Sequence, residues 1–236
     1  MSTQRNPVDL YEQPAYKGPE AARMLAMPLS TVRAWCFGQR HTSGEPSRRF
    51  RALIRPADSR RKLLSFNNLC ELYTLATIRR YYHVSMPAVR DAITYLGTEL
   101  GTTRPLLSSD FLTNGIHLFI HRADQLVNAS RRGQLELGAD FVKDLSRVSR
   151  DASGKVIRLF PVTRLSPSAD DDVSHVVVID PRVSFGRPVL ARSGVRTEVI
   201  QDRFIAGDSP SEMAEDFGVN EAAILEALRF EQRLAA

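Results

Sequence analysis

At 236 residues, with 43% hydrophobic and 25% charged residues, the chain has an ordinary globular composition and room for two modest domains or one large one. The longest aliphatic run, residues 176–179, is too short to cross a bilayer, and residues 1–9 lack the apolar stretch of a signal peptide, so we expect a cytoplasmic protein without membrane contact. Two widely separated cysteines, Cys36 and Cys70, argue against a disulfide framework or a cysteine zinc site.

The net charge of +5 is distributed unevenly along the chain. Residues 1–65 contain 12 basic and 5 acidic residues, a net charge of +7, and residues 66–165 contain 13 and 9, a net charge of +4. Residues 166–236 contain 7 basic and 13 acidic residues and carry −6. This asymmetry predicts that a polyanion binds the front of the chain, whereas the rear has a different partner or none.

The first predicted elements are two short helices within residues 16–35. Gly18 and Pro19 can open the first helix, because a proline at the first helical position loses no hydrogen bond. A break at residues 26–28 separates it from the second helix. Two short helices joined by a tight turn have the geometry that places the second helix in a major groove of DNA.

In the second helix, Ser30 or Thr31 can supply a capping oxygen, and Val32 and Trp35 point inward at helical spacing. Arg33 is our candidate for a groove contact, because its guanidinium can bridge two acceptors on guanine or hold a phosphate.

After Trp35 the chain is rich in Gly, Ser, Pro and Arg, and its extended candidate is residues 50–54. A turn at residues 56–59 leads to Leu63 and Leu64, and this pattern predicts a two-stranded wing. Basic side chains here would neutralise phosphates without reading sequence, as a disordered basic loop also would. The predicted DNA contacts are Ser30, Thr31, Arg33, Arg40, Arg48, Arg49, Arg51, Arg55, Arg60 and Arg61.

Two longer helices follow the wing. Ser65 can cap a helix that runs to about Tyr82, and its dense apolar residues imply burial on more than one side. Ser85 caps the next helix, whose apolar stripe ends at Gly97 or Gly101. These four helices and the wing form a predicted domain of residues 1–101.

Residues 102–165 form a predicted connector with β-hairpins. Asn114 and Gly115, between apolar residues, are the strongest short hairpin signal, and a second hairpin is expected over residues 148–162. A short helix at residues 139–145 lies between them. The strands would serve as a dimer interface or support the two ends of the chain.

An acidic linker, residues 166–175, precedes a last predicted domain of residues 176–236. Strands are expected at residues 175–179 and 189–190, and helices at about residues 197–206, 211–217 and 221–233. Ser209 and Glu212 form a capping pair at the start of the second of these helices. The predicted fold is mainly α with small β elements: a winged helix-turn-helix, a hairpin connector and a three-helix domain of helix-turn-helix shape.

The front of the chain, over roughly residues 16–100, resembles the MerR family of winged helix-turn-helix regulators. The matching motifs are EAARML at residues 20–25, STVRAW at 30–35, LSF at 64–66 and VSM at 84–86, together with the basic wing. The resemblance implies that Arg33 lies on the recognition helix and that wing arginines hold the phosphate backbone. Ala34 departs from the aromatic residue usual in that family, and the family's long coiled-coil helix is absent.

The rear, about residues 176–230, resembles a short prokaryotic domain of uncharacterised function that is found in antitoxin-like proteins beside PIN-domain nuclease genes. The matching motifs are IDP at residues 179–181, FGRPVL at 185–190, GVRT at 194–197, GDS at 207–209 and FGV at 217–219. A MerR-like front followed by this rear resembles the longer VapB-type antitoxins, whose partners are VapC ribonucleases. The resemblance implies a homodimer that represses its own operon at operator DNA and neutralises a PIN-domain ribonuclease toxin.

The last helix offers candidates for the toxin contact. Leu225 and Phe230 are candidate apolar anchors, although self-packing is the favoured explanation for such residues. Arg229 and Arg233 could pair with the carboxylates of a nuclease metal centre. Two other functions remain open: a MerR-like transcriptional regulator without a toxin, and an adaptor that meets nucleic acid without sequence preference.

Motifs for catalysis and for metal binding are missing from the sequence. It contains no P-loop, dinucleotide-binding glycine turn or GxSxG elbow, so we expect no enzyme activity, no catalytic residue and no cofactor. His117 and His121 have no third ligand at a metal-binding spacing, which favours a surface or structural role over a metal site.

Overall fold

The structure is a computed structural model and describes residues 9–41, 48–111, 116–117, 119, 139–163 and 175–235. Within these residues the side chains of 40, 41, 48, 49, 139 and 233–235 are not part of the description. The described chain is mainly helical, with small antiparallel strand pairs, as the sequence predicted. No helix in these ranges is long and apolar enough to cross a membrane.

The front begins with a helix pair and short strands. In chain order these are β1 (Tyr16–Lys17), α1 (Gly18–Met24), α2 (Leu29–Phe37), β2 (Gln39–His41), β3 (Arg48–Phe50) and β4 (Leu63–Leu64). Helices α1 and α2 pack against each other across a turn in which Ala26 adopts a positive φ of 50°. The helix pair was predicted from the break at residues 26–28 and is confirmed.

The strand pairing of the predicted wing was wrong. Strand β2 pairs with β3, and Phe50 ends β3 rather than beginning a strand that runs to residue 54. Leu63 and Leu64 pair instead with Lys17 and Tyr16, beside the helix pair. The physical reason is burial: Leu64 has no solvent exposure and belongs to the core, whereas Phe50 is exposed.

The two longer front helices are α3 (Phe66–Tyr82) and α4 (Met86–Glu99). The Ser65 cap is confirmed, because its side chain accepts a hydrogen bond from the backbone N–H of Asn68 at 3.2 Å. Ser85 occupies the N-cap of α4 but makes no such bond. Helix α4 continues through Gly97 and ends before Gly101.

The connector contains α5 (Ala139–Ser146), β5 (Val148–Arg150) and β6 (Val156–Leu159). The hairpin of β5 and β6 confirms the second predicted hairpin, and the Asp151 carboxylate accepts hydrogen bonds from the N–H groups of Ser153 and Lys155 in its turn. Tyr73 of α3 donates from its hydroxyl to the Asp144 carbonyl at 3.0 Å, which ties α5 to α3.

The hairpin predicted around Asn114 and Gly115 was wrong. Residues 109–111 are helical, as are 116, 117 and 119, while Asn114 and Gly115 themselves lie outside the described residues. Phe111, Ile116 and Phe119 are fully buried or nearly so, and the two phenylalanine rings meet edge to face at 6.4 Å. Burial of all three apolar side chains in one core is the physical reason that the described residues on either side are helical rather than extended.

The rear contains β7 (Val177–Val178), β8 (Val189–Leu190), α6 (Thr197–Ala206), α7 (Pro210–Phe217) and α8 (Glu221–Ala235). These bounds lie within two residues of the predicted ones. The capping pair is also confirmed: Ser209 accepts from the N–H of Glu212 at 3.2 Å, and the Glu212 carboxylate accepts from the N–H of Ser209 at 2.9 Å.

Two clusters of buried apolar side chains support this architecture. The larger cluster runs from Tyr11 to Ile179 and joins the front helices to the connector. The smaller one lies among the rear helices and contains Leu190, Ile200, Met213, Ala214, Ile224, Ala227 and Leu228. Leu159 and Ile179 exchange backbone hydrogen bonds of 3.0 and 2.8 Å, so the connector hairpin is bonded directly to the first rear strand.

Candidate nucleic-acid interface

Helix α2 presents its polar residues to solvent and buries its apolar ones. Val32, Trp35 and Cys36 are buried and fix the helix on the core. Ser30 and Arg33 are exposed, and Thr31 is half-buried. Arg33 forms no ion pair with another described residue, so its guanidinium is available to a ligand.

The capping role predicted for Ser30 or Thr31 was wrong. The N-cap of α2 is Pro28, and both hydroxyl residues lie inside the first helical turn, without a side-chain cap bond. The Ser30 hydroxyl is exposed and makes no cap bond in α2, so it is placed to contact a ligand at the N-terminal end of this helix, where backbone N–H groups also face outward.

The ribbon formed by β2 and β3 is fixed on the end of α2. Gly38 adopts a φ of +77°, and a Cβ atom there would lie 2.6 Å from the Phe50 carbonyl oxygen, so this close approach requires glycine. The Trp35 carbonyl accepts hydrogen bonds from the N–H groups of Leu53 and Ile54, at 2.7 and 3.0 Å. These bonds fix the segment after β3 against α2.

The predicted wing arginines divide into two groups. Arg40, Arg48 and Arg49 lie on the ribbon strands, where Arg40 pairs with Arg49 in register, but their side chains are outside the described part. The second group follows the ribbon, is exposed, and forms no ion pair with any residue that the structure describes: Arg51, Arg55, Arg60 and Arg61. A set of unpaired arginines beside an exposed helix is suited to binding phosphates.

Asn68 holds the loop that carries part of this second group. Its side-chain carbonyl accepts from the N–H of Ala57 at 2.9 Å, and its amide donates to the Arg55 carbonyl at 2.8 Å. The Arg61 N–H donates to the Asp58 carboxylate at 2.8 Å, which closes the following turn. The backbone at Arg55 is therefore positioned by α3, a role of Asn68 that the sequence did not predict.

A buried ion network lies behind this surface. Arg104 pairs with Glu71 of α3 and with Glu12, and it donates from Nε to Glu12 at 2.6 Å. Burial raises the pKa of the Glu71 carboxyl to about 7, although Arg104 and Asn68 act in the opposite direction. The sequence did not predict this network, although it offers one signal: Glu71 lies between Cys70 and Leu72 in a helix whose dense apolar residues imply burial.

The toxin contacts predicted on α8 have different environments. Phe230 is fully buried, so it has no surface for a partner and serves packing instead. Leu225 is half-buried, and Arg229 is exposed and donates to the Glu226 carboxylate at 2.8 Å. The side chain of Arg233 is outside the described residues.

The front and the rear of the chain meet through α1. The Tyr16 hydroxyl donates to the Gly186 carbonyl at 2.9 Å, and Arg187 forms an ion pair with Glu20. Burial raises the pKa of the Tyr16 hydroxyl, which therefore stays protonated and able to donate. The rear is thus attached to the first helix of the pair that carries the candidate interface.

Asp180 fixes the rear loop from its other end. Its buried carboxylate accepts from Arg158 at 3.1 Å and from Arg182 at 2.7 Å. Burial by itself raises the pKa of Asp180, but the hydrogen bonds from the two guanidinium groups outweigh it and hold the pKa below its usual value. The charged form is therefore the stable one in the folded chain.

Cys36, Cys70 and His117 show no sign of a reactive or metal centre within the described residues. Cys36 and Cys70 are buried free thiols, and burial raises the pKa of Cys36 to about 12, which makes it a poor nucleophile. His117 is exposed, while His121 lies outside the described residues. Across the ranges that the structure covers, no group of three or more His, Cys, Asp or Glu is arranged to hold a metal ion.

Comparisons with known proteins match both the rear and the whole chain. Residues 177–230 match a family described as a protein of unknown function, DUF433. The chain is 28% identical to a Mycobacterium tuberculosis protein named "Putative antitoxin VapB45", over 92% of this chain and 94% of that protein. The fold is similar to the crystal structure of Rv2018 from Mycobacterium tuberculosis, with a TM-score of 0.67, 24% identity, and coverage of 92% of this chain and 97% of that one.

Proposed function

We propose that this chain is the antitoxin of a type II toxin–antitoxin pair, which neutralises a PIN-domain ribonuclease of the VapC type and binds operator DNA to regulate its own operon. The observation that carries the proposal is the similarity to a named antitoxin over 92% of the chain, because it includes both the basic front and the acidic rear. The same similarity supports a role without enzyme activity.

The DNA-binding part of the proposal assigns a winged helix-turn-helix to the front. In this arrangement α2 is the recognition helix, the β2–β3 ribbon is the wing, and a homodimer places two copies of α2 on a palindromic operator. The exposed Ser30 and Arg33 and the unpaired arginines after the ribbon support it. Residues 1–65 carry a net charge of +7, whereas residues 166–236 carry −6, so DNA should approach the front of the chain.

The toxin-binding part assigns the partner to the rear. Arg229 of α8 is 48% exposed in its side chain and pairs with the carboxylate of Glu226, its single acidic partner among the residues that the structure describes. The acidic metal centre of a PIN nuclease would compete for such a guanidinium. Phe230 is buried and is left out of the proposed contacts. Leu225 and Arg233 remain the other proposed contacts on this helix.

The toxin part is tested by purifying the chain together with the product of the adjacent gene and assaying RNA cleavage by the complex. We expect a stable complex in which cleavage is suppressed, and weaker suppression with Arg229→Ala. Arg80→Ala is the matched control, because Arg80 is 55% exposed and also pairs with one carboxylate, but lies on α3. Absence of a complex would contradict the antitoxin function and favour the alternative, a MerR-like transcriptional regulator that has no toxin partner.

The DNA part is tested by measuring binding to the upstream region of the operon and to unrelated DNA at several salt concentrations. We expect Arg33→Ala to weaken operator binding by about 5- to 150-fold, a loss on the order of 1–3 kcal/mol, with little change for unrelated DNA. Equal affinity for both DNA sequences with a steep salt dependence would instead favour the nonspecific adaptor.

A further inference from the structure

Phe185 is an exposed aromatic residue on a strained loop. Its side chain is 92% exposed, and both Ser184 and Phe185 adopt positive φ angles, 47° and 55°. Such angles are strained for non-glycine residues, and an exposed phenylalanine gains nothing from burial. Strained, exposed aromatic residues are typical of contact sites.

The loop holds Phe185 in a fixed position. The N–H groups of Gly186 and Arg187 donate to the carbonyls of Val183 and Ser184, at 3.0 and 3.1 Å. Tyr16 bonds the Gly186 carbonyl on one side, and Asp180 anchors the other side of the loop. Because the aromatic ring is presented by a rigid support, a partner would lose little conformational entropy on binding it.

This loop is the basic part of the rear. Residues 176–196 contain four arginines and one aspartate, a net charge of +3. Arg182 and Arg187 flank Phe185 and are about half-exposed even though each is bonded to a carboxylate. Arg192 is exposed and has no ion-pair partner among the described residues. A protein surface that accepts Phe185 should therefore be apolar with acidic edges.

Helix α6 offers a surface of that kind. Ile205 is 73% exposed and Phe204 is 40% exposed. Glu198 and Asp202 are exposed on the same helix face as Ile205, at spacings of seven and three residues, and Asp202 forms no ion pair with a described residue. Residues 197–236 contain three arginines and nine acidic residues, a net charge of −6.

We propose that the Phe185 loop of one copy of the chain docks on the α6 surface of a second copy, with Phe185 against Ile205 and Phe204 and the loop arginines facing Asp202 and Glu198. Two-fold symmetry forms this contact twice, so both loops and both α6 surfaces are buried. The inference rests on the homodimer of the proposed function and assigns its interface to the rear.

A second copy fits better than a nucleic acid. The phosphates of a nucleic acid would be attracted by the arginine loop but repelled by the carboxylates of the acidic rear helices. A second copy satisfies both charged surfaces and both apolar patches at once. Aromatic and arginine side chains together are also the residues that contribute most at protein interfaces.

The interface is tested by light scattering after size exclusion and by sedimentation of the full chain over a range of concentrations. We expect a dimer, with dimerisation at least tenfold weaker in Phe185→Asn and in Ile205→Asp. Asparagine tolerates positive φ, so Phe185→Asn should keep or raise the thermal stability of the fold. Val142→Asp is the control, since Val142 is 51% exposed but lies on α5.

Mixing the two variants distinguishes a direct contact between Phe185 and Ile205 from separate effects of each variant on folding. A heterodimer of Phe185→Asn and Ile205→Asp chains regains one complete contact, between Phe185 of one and Ile205 of the other. We therefore expect the mixture to associate more strongly than either variant alone.

A wild-type chain that stays monomeric at all concentrations would overturn this inference together with the homodimer. A dimer that is unchanged by both variants would overturn the interface and leave the homodimer intact. If Phe185→Asn reduces binding of the nuclease or of RNA while the dimer is unchanged, the loop serves that partner and the inference is wrong.

Discussion

Gly186 connects the two halves of the chain at a point where no other residue fits. Its φ is +76°, and an added Cβ atom would lie 2.1 Å from the Tyr16 hydroxyl oxygen. Tyr16 is buried, so its ring cannot move aside easily. The contact between front and rear therefore depends on one glycine as well as on the hydrogen bond that its carbonyl accepts.

We predict that Gly186→Ala destabilises the fold by roughly 2–4 kcal/mol, through both backbone strain and the clash with Tyr16. Urea unfolding at equilibrium measures the change. Gly207→Ala is the control, because Gly207 has a φ of +110° but nothing within 4 Å of its Cβ position. Equal losses for the two variants would contradict the proposed clash.

Glu71 should make the stability of the fold dependent on pH. Its pKa is raised by burial to about 7 in the folded chain, from 4.5 for a free side chain. Between these values the folded chain retains a proton that the unfolded chain has released, so the free energy of unfolding falls as the pH rises. Above pH 7 this contribution levels off.

We predict that wild type loses stability relative to Glu71→Gln between pH 5 and 7, by on the order of 2 kcal/mol. The comparison with the variant cancels the titration of other groups. Chemical unfolding of both proteins at a series of pH values checks it. A difference that stays constant or increases in favour of wild type would show that Arg104 keeps Glu71 ionised.

At the scale of single elements, helix caps show how local sequence specifies structure. Ser65 and Ser85 precede helices of similar length, and the sequence predicts both as N-cap residues. Ser65 is buried and exchanges hydrogen bonds with Asn68 in both directions, whereas Ser85 is exposed and makes no cap bond. The same residue type therefore contributes differently according to its surroundings.

We predict that Ser65→Ala lowers the free energy of unfolding by about 1–2 kcal/mol, while Ser85→Ala changes it by less than about 0.5 kcal/mol. Thermal or chemical unfolding distinguishes them. Similar losses for both would mean that Ser85 forms a cap bond in solution that the structure does not show.

Strand pairing shows the limit of local sequence. Helix bounds in the rear followed from apolar spacing, caps and glycine stops, which act within a few residues. The pairing partner of Leu63 and Leu64 did not follow from such local signals, because β4 pairs with β1, more than forty residues earlier in the chain. The strands predicted beside the Asn-Gly pair failed for the same reason, since the described residues there are helical and burial of Phe111 and Phe119 is a long-range effect.

At the scale of the whole molecule, charge separation should control DNA binding. The exposed arginines that follow the ribbon include Arg55, whose backbone is held by α3, and the acidic helices belong to the rear. Each arginine that neutralises a phosphate adds roughly 0.9 to the slope of log affinity against log salt concentration. The slope of log affinity against log salt concentration therefore measures how many arginine–phosphate contacts form.

We predict that replacing Arg51, Arg55, Arg60 and Arg61 together by alanine lowers the magnitude of the salt slope by about 3–4. DNA binding measured between low and physiological salt checks this value. Replacing Arg192 and Arg229 in the rear should leave the slope unchanged. Equal effects of the two sets would mean that net charge, not the front surface, determines affinity.

The sequence by itself indicated the helices, the basic front, the acidic rear, and Arg33 as an exposed residue of α2. These features depend on periodicity, capping and composition, and each is expressed within a short stretch of chain. Local sequence was therefore sufficient to predict part of the candidate site.

The tertiary structure decided which residues support that site. Asn68 bonded to the arginine loop, Glu71 paired with Arg104, and Tyr16 bonded to Gly186 are contacts between distant residues. It also decided that Phe230 is core and Phe185 is surface, although both are aromatic residues of the rear. Burial depends on how elements pack against each other, and that arrangement is a property of the whole chain rather than of any segment.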